Sequence, residues 1–167
     1  DLNKDKIIII DFGSQVTKLI ARWIREYSVL SEILTLKNLK KKKLFSNVKG
    51  IILSGGPSTV TKHSFPQIPN EIFNLNIPIL GICYGLQFIV KKFHGKVKTN
   101  KKKREFGRAV IIKKKNSLLT KNFFKKGKAV VWMSHQDSVH KLPYGYSKIA
   151  STSQSAMTII ENQKRKL

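Results

Sequence analysis

The sequence contains a single cysteine and only 9 acidic residues among its 167 positions. One cysteine excludes a disulfide framework within the chain, and it excludes any metal site built from several thiolates. No apolar run approaches the roughly 20 residues that a membrane-spanning helix requires, so no membrane association is expected. Residues 1–6 contain no apolar segment of the kind found in signal peptides, and the expected location is therefore the cytoplasm.

The shortage of acidic residues leaves a large excess of basic ones. The 33 Lys and Arg residues give a formal net charge of +24, and a basic surface of this kind attracts phosphate groups. The lysines nevertheless fall in scattered runs, at residues 40–43, 101–103 and 113–115, without the interleaved aromatic residues of a stacking platform for nucleic acid. We interpret them as a solvated surface and expect no specific nucleic-acid partner.

Strand and helix patterns alternate along the first half of the chain. Residues 7–10 and 51–53 are continuous apolar runs, typical of strands buried on both faces of a parallel sheet. Apolar residues at offsets 0, 3, 4, 7, 8 and 11 from Val16 predict an amphipathic helix with Ser14 as its N-cap. After Gly95 the pattern changes to short strands that would pair antiparallel. The predicted fold class is α/β, with an open, mainly parallel sheet flanked by helices and extended by antiparallel additions.

The only cysteine lies in a strand, turn and helix pattern. The segment Gly-Ile-Cys-Tyr-Gly at residues 81–85 follows an apolar strand and leads directly into helical spacing. Glycines two residues before and after a nucleophile allow its side chain to stand on a sharp turn. The N-terminus of a helix also favours thiolate over thiol. Cys83 is therefore the candidate nucleophile, with a cysteine that only fills the core as the alternative.

A glycine-rich turn follows the strand that precedes this one. The segment Ser-Gly-Gly-Pro at residues 54–57 presents backbone N–H groups at the end of a predicted strand. Such groups can bind a developing oxyanion together with the N–H of the residue after the nucleophile, here Tyr84. The two segments together outline an acyl-transfer site, although a simple glycine turn would also explain the second segment.

Taken together, the motifs resemble the class I glutamine amidotransferase family, in which a cysteine attacks the side-chain amide of glutamine and ammonia is released. The resemblance rests on Ser-Gly-Gly-Pro and on Gly-Ile-Cys-Tyr-Gly-Leu-Gln at residues 81–87. Four further segments are similar to the GMP synthase members of that family: Asp-Phe-Gly-Ser-Gln at 11–15, Arg-Glu-Phe-Gly-Arg at 104–108, Val-Trp-Met-Ser-His-Gln-Asp at 131–137 and Ile-Ala-Ser-Thr at 149–152.

The resemblance implies a role for each matching position. Cys83 would form a glutamyl thioester, and the backbone N–H groups of Gly56 and Tyr84 would form the oxyanion hole. The substrate glutamine would be held by Gln87 and by the backbone around Ser134, His135, Gln136 and Asp137. Ammonia would pass to an ATP pyrophosphatase (synthetase) domain, on the same or a separate polypeptide, which aminates xanthosine monophosphate (XMP). ATP and Mg²⁺ would belong to that partner, so no cofactor and no metal are expected in this domain.

The family's catalytic base lies in a His-Pro-Glu segment, which has no counterpart between the strand expected at residues 157–160 and Leu167. His135 is the nearest imitation, but it belongs to the glutamine-binding motif, and His63, His94 and His140 are expected to be surface or structural residues. We therefore expect residues 1–167 to be an amidotransferase domain that is incomplete at its C-terminus. Two alternatives remain open: a binding or regulatory module of this fold without chemistry, and the amidotransferase subunit of another pathway, such as anthranilate or carbamoyl phosphate synthesis.

Overall fold

The computed structural model describes residues 4–39, 45–99 and 105–167. These divide into two units, Asp1–Phe88 with Arg165–Leu167, and Ile89–Lys164. The lysine runs at residues 40–43 and 101–103, together with Arg104 of the Arg-Glu-Phe-Gly-Arg segment, lie outside the described residues. Each unit is considered separately below.

The first unit is built on a parallel sheet, as the apolar runs predict. The sheet has the strand order β2-β1-β3-β4, and every neighbouring pair is parallel. Ile8, Ile9 and Ile10 of the central strand are all 0% exposed, which confirms a strand buried on both faces. The elements in chain order are β1 (Lys6–Asp11), α1 (Thr17–Glu26), β2 (Leu30–Thr35), a 3₁₀ turn (Leu36–Asn38), β3 (Val48–Leu53), α2 (Asn70–Phe73), β4 (Ile79–Gly81) and the start of α3 (Tyr84–Lys92).

The first helix differs from its prediction at its N-terminus. The N-cap is Val16, without a side-chain hydrogen bond, so the prediction of Ser14 as the cap is wrong. Ser14 Oγ instead accepts a hydrogen bond from the Val16 N–H at 3.2 Å, which tightens the turn before the helix. The helix buries Thr17 and Ala21, whereas Trp23 is exposed. No helix in the described ranges is long and apolar enough to cross a membrane.

The second unit contains two antiparallel sheets. One has the strand order β10-β9-β6-β7, and the other pairs β5 with β8. The expected antiparallel additions are thus confirmed, and in the described residues they form two sheets of their own. The sequence patterns did not predict β8. The strands are β5 (Lys96–Thr99), β6 (Glu105–Lys113), β7 (Lys128–His135), β8 (Asp137–Lys141), β9 (Ser147–Ser151) and β10 (Ile159–Glu161).

Candidate active site

Cys83 occupies a strained turn between β4 and α3. Its φ angle is +50°, a left-handed conformation that residues with a side chain adopt rarely. The residue is exposed to solvent, whereas Tyr84, which follows it, is buried. The chain thus holds the side chain of its only cysteine outward at the end of a buried strand, which is the geometry a nucleophile on a sharp turn requires.

The two flanking glycines are required by close packing. A Cβ atom on Gly85 would lie 2.4 Å from the backbone oxygen of Leu53, at the end of β3. A Cβ atom on Gly81 would lie 2.7 Å from the backbone nitrogen of Leu86, in the first turn of α3. Since both contacts are with backbone, they cannot be relieved by rotating a side chain. The spacing of glycines around Cys83 therefore reflects the packing of β3, β4 and α3.

The surroundings of Cys83 disfavour its ionised form. Burial by nearby protein atoms raises the pKa of the Cys83 thiol, although part of the residue remains in contact with solvent. This direction is opposite to the one expected from a position at a helix N-terminus. The only histidine of the first unit, His63, lies in an exposed loop, and no hydrogen bond joins Cys83 to an acid or base among the described residues of this unit. The surroundings of the thiol within the first unit therefore do not lower its pKa.

The Gly-Gly turn after β3 lies directly against the cysteine. A Cβ atom on Gly55 would lie 3.2 Å from Cys83 Cβ, and one on Gly56 would lie only 2.2 Å from the backbone oxygen of Phe12. The turn therefore approaches Cys83 on one side and the end of β1 on the other. In the described part of the chain, neither the Gly56 N–H nor the Tyr84 N–H donates a hydrogen bond. Both donors remain available to a ligand.

A buried chain of hydroxyl groups fixes the start of this turn. Ser54 is 0% exposed, and its Oγ accepts hydrogen bonds from the Phe12 N–H at 3.3 Å and from Thr17 Oγ1 at 3.2 Å. Thr17 Oγ1 also lies 2.9 Å from Asp11 Oδ1, which accepts a hydrogen bond from the Gly13 N–H at 2.9 Å. The Asp-Phe-Gly-Ser segment after β1 therefore contacts the Gly-Gly turn directly. A single hydroxyl proton cannot serve two acceptors, so these groups act as one network.

The side chain of Tyr84 anchors the strained turn at Cys83, which is called the elbow below. Its hydroxyl donates a 2.6 Å hydrogen bond to the backbone oxygen of Pro66, and its ring centroid lies 4.9 Å from that of Phe12. Burial raises the pKa of Tyr84 to about 12, so the hydroxyl remains a donor throughout the physiological pH range. Phe12 thus contacts the two predicted oxyanion donors, Gly56 through its backbone and Tyr84 through its ring.

Gln87 lies one turn into α3 and is almost completely buried. Its residue is 8% exposed, and among the described residues its Oε1 atom has no hydrogen-bond partner. A buried carbonyl oxygen without a donor costs about 1–3 kcal/mol, which is unusual unless a ligand or water satisfies it. This orphan acceptor supports the expectation that Gln87 contacts a polar substrate.

A second cluster of motif residues lies within the second unit. The Glu105 carboxylate, 7% exposed at the start of β6, lies 2.9 Å from His135 Nε2 and accepts a hydrogen bond from Thr152 Oγ1. His135 Nδ1 in turn lies 3.0 Å from the backbone oxygen of Asp137. Three segments that are distant in sequence therefore meet at Glu105, and both ring nitrogens of His135 have hydrogen-bond partners within this unit.

The expected glutamine-binding stretch is a junction between two strands rather than a loop. β7 ends at His135, Gln136 forms a bend, and β8 begins at Asp137. Ser134 and Gln136 are exposed, whereas His135 and Asp137 are partly buried. The Asp137 carboxylate accepts a 2.5 Å hydrogen bond from Thr99 of β5. β7 pairs with β6 and β8 pairs with β5, so the strands on both sides of this bend are hydrogen-bonded to other strands.

Comparison with known proteins identifies the family. The model of the family described as glutamine amidotransferase class-I matches residues 8–167, nearly the whole sequence. The chain belongs to the class I glutamine amidotransferase family. The fold agrees: an amidotransferase structure from Thermotoga maritima superposes with a TM-score of 0.73 at 20% identity, over 92% of this chain and 69% of that one.

Two curated proteins that this amidotransferase chain resembles are glutamine-hydrolysing GMP synthases. The chain is 47% identical over 164 residues to the glutamine-hydrolysing GMP synthase of Prochlorococcus marinus strain MIT 9215, and it covers 30% of that protein. It is 43% identical over 169 residues to the enzyme of Brachyspira hyodysenteriae, covering 32% of it. In both comparisons at least 96% of this chain is aligned. The chain thus spans about 30% of the length of the curated relatives it matches.

A solved amidotransferase structure supports the same grouping. A protein from Thermoplasma acidophilum, described as one subunit of a GMP synthase, superposes with a TM-score of 0.82 at 25% identity. The superposition covers 98% of this chain and 81% of that chain.

The structure also reveals residues of this amidotransferase for which the sequence suggested no role. Glu105 and Thr152 lie in segments that resemble the family, but only their burial and shared hydrogen bonds show that they support His135. The sequence offered only one indication of a role for Glu105, namely that it is an acidic residue at the start of a strand in a chain with few acidic residues. The other histidines agree with expectation, since His63, His94 and His140 are all exposed.

Proposed function

We propose that the protein is the glutamine-hydrolysing part of a GMP synthase, which releases ammonia for the amination of XMP to GMP. The observation that carries the proposal is the strained elbow of Cys83 packed against the Gly55–Gly56 turn, in a chain of this family. The similarity to curated GMP synthases supports the choice among pathways.

The first chemical step is attack by Cys83 on glutamine. The thiolate sulfur forms a bond to the carboxamide carbon, and the carbonyl oxygen becomes an oxyanion that accepts hydrogen bonds from the Gly56 and Tyr84 N–H groups. The carbon–nitrogen bond then breaks, and the nitrogen takes a proton from a general acid and leaves as ammonia. Water attacks the resulting thioester, the carbon–sulfur bond breaks, and glutamate is released with the thiol restored.

The general base is assigned to the family's His-Pro-Glu segment, which residues 157–167 do not contain. Within the first unit the Ile79 N–H donates a 2.9 Å hydrogen bond to the Lys166 backbone oxygen, on the edge of β4 that faces away from β3. The backbone at Lys166 therefore runs beside β4, the strand that leads to Cys83.

The glutamine-binding roles that the family resemblance implies are assigned within each unit separately. Gln87 Oε1, buried and unpartnered in the described structure, would accept a hydrogen bond from bound glutamine. The backbone of Ser134, His135, Gln136 and Asp137 would hold the α-amino and α-carboxylate groups, with Glu105 fixing His135. Amides and carbonyls in an ordered strand junction satisfy such groups without a large loss of entropy.

Ammonia is expected to reach a synthetase part that binds ATP and Mg²⁺, on the same polypeptide or on a separate one. The relatives' greater length supports the first arrangement, and the description of one neighbour as a single subunit of its enzyme supports the second. No group of three or more His, Cys, Asp or Glu side chains in the described ranges is arranged as metal ligands. A cytoplasmic location is part of the proposal, and the low cysteine content supports it.

The decisive experiment compares two forms of the protein. The 167-residue chain and a form extended past Leu167 by about 40 residues would be assayed for glutamate release from glutamine. We expect turnover only in the extended form, and we expect Cys83→Ala to abolish it. Robust turnover by the 167-residue chain would contradict the position proposed for the base. The extended form would also be assayed with the synthetase part and the nucleotide substrates added. Absence of turnover under those conditions would favour a binding module instead.

A further inference from the structure

The β6–β7 hairpin presents an unusually apolar face to solvent. In an antiparallel sheet with one buried face, the outward residues are normally polar. Here the register pairs Phe106 with Ser134, Arg108 with Trp132, Val110 with Val130 and Ile112 with Lys128, and all eight residues are exposed. We call these eight residues the hairpin face. Trp132 is 82% exposed and Phe106 is 59% exposed.

The opposite side of the same hairpin shows that this exposure is not a general property of the sheet. Ile111 and Glu105, which point away from the hairpin face, are 4% and 7% exposed. The hairpin therefore already has a buried side, and its apolar residues on the other side contribute nothing to that core. Contiguous apolar surface with a central tryptophan and an adjacent arginine has the composition of a protein–protein interface.

The charges on the hairpin face indicate the character of its partner. Arg108 lies opposite Trp132, Lys128 lies at one end of the face, and no acidic residue is among the eight. In a chain with a net charge of +24, a second copy would meet this surface with the same sign of charge. A partner with acidic groups around an apolar centre would be complementary.

The chemistry of ammonia and the length of the curated relatives indicate which partner this is. Ser134, the last residue of the face on β7, is also the first residue of the proposed glutamine-binding stretch. Ammonia that escapes into water at neutral pH becomes ammonium, which is no longer a nucleophile. The region that consumes ammonia must therefore contact the amidotransferase part directly, and the curated relatives have more than two thirds of their length outside the matched part.

We propose that the hairpin face is the docking surface for the ammonia-consuming synthetase part, with Trp132 and Val130 at its apolar centre and Arg108 as a basic residue beside Trp132. This assignment rests on the proposed function, since it identifies the partner of that same amidotransferase site. It requires no rearrangement of the hairpin, because the eight residues are already exposed.

The test uses the full-length protein with its synthetase part. Nucleotide amination is measured with glutamine and, separately, with ammonium salts as the nitrogen source. Trp132→Ala should reduce glutamine-dependent amination by about tenfold or more, as loss of an interface hot spot does. Ammonia-dependent amination should be unchanged. The matched control is Tyr144→Ala, which removes a 100% exposed aromatic residue outside the hairpin face and should change neither rate.

A charge reversal at Arg108 tests the contribution of the basic residues of the hairpin face to docking. Arg108→Glu should weaken glutamine-dependent amination most strongly at low ionic strength, while Lys148→Glu, at an exposed position on β9 outside the face, should have little effect. If Trp132→Ala and Tyr144→Ala give glutamine-dependent rates within about twofold of each other, the docking surface lies elsewhere. Concentration-dependent dimerisation that Trp132→Ala abolishes would also overturn the assignment, because the face would then bind a second copy.

Failure of the docking proposal can be distinguished from failure of the proposed function. If the unsubstituted protein aminates nucleotide with glutamine and the Trp132 substitution has no effect, only the docking surface is wrong. If the unsubstituted protein uses ammonium salts but releases no glutamate from glutamine, the proposed function itself is wrong.

Discussion

Substitution of Gly56 by alanine should test the oxyanion site most directly. The added Cβ atom would lie 2.2 Å from the backbone oxygen of Phe12 and 2.9 Å from its carbonyl carbon. Contacts of a Cβ atom below 3.0 Å are essentially never found, so the turn must retreat by about 0.8 Å. Since the obstacle is the backbone at the end of β1, the Gly56 N–H must move with the turn.

The expected consequence is a loss of transition-state stabilisation with little loss of binding. Removing or displacing one oxyanion donor lowers kcat by roughly 10²–10³-fold, and a shift near 1 Å suffices for about 10²-fold. KM for glutamine should change by less than about threefold, because the proposed N–H contact forms only as the oxyanion develops. The crowding should also lower the free energy of unfolding by about 1–3 kcal/mol.

The measurement is the rate of glutamate release by the extended, active form, together with urea unfolding. Gly50→Ala is a suitable control, since its added Cβ would lie 3.7 Å from Ile7 in ordinary contact, within the same sheet. We expect this control to keep full activity. If Gly56→Ala loses stability but retains a kcat within about threefold of Gly50→Ala, its N–H is not an oxyanion donor and the reasoning fails.

Three further predictions follow from the contacts in the two units. Because burial raises the pKa of Cys83, its alkylation by iodoacetamide in the 167-residue chain should still be increasing at a pH where the rate for glutathione has levelled off; a plateau below neutral pH would contradict this. Tyr84→Phe should lower the free energy of unfolding by about 1 kcal/mol in urea titrations, since only the hydrogen bond to Pro66 is lost; an unchanged midpoint would show that this bond is not stabilising. Glu105→Ala, which leaves His135 and a buried threonine hydroxyl without their acceptor, should cost about 3 kcal/mol and raise KM for glutamine more than it lowers kcat; an unchanged KM would remove the cluster from the site.

The sequence predicted the elbow and the parallel sheet because both depend on local spacing. Gly81 and Gly85 can be recognised from their distance to Cys83, and the structure explains the spacing through backbone contacts with Leu86 and Leu53. The buried isoleucines of β1 formed a continuous apolar run that only a doubly covered strand accommodates. The direction of the pKa shift at Cys83 was not predictable, because it depends on how much protein surrounds the thiol.

Long-range hydrogen bonds account for what the sequence could not show. Six segments of similarity to the family are separate in the sequence, but in the structure they form two clusters, one in each unit. In the first, Ser54 joins the segment after β1 to the Gly-Gly turn, and in the second, Glu105 joins β6 to His135 and Thr152. Each cluster is centred on a buried polar residue whose partners are 30 or more positions away, a separation that no periodicity reveals.

The same clustering explains why the motifs occur together. A nucleophilic cysteine on a strained turn requires oxyanion donors that are fixed beside it. Ser54 and Phe12 contact the turn that carries the Gly56 donor, and the ring of Phe12 also contacts Tyr84. Likewise, a strand junction can hold a substrate's charged groups only if the junction is rigid, and His135 is held in place by Glu105. A substitution at either buried residue should therefore affect the chemistry without touching glutamine, and Glu105→Ala tests this in the unit that lacks the nucleophile.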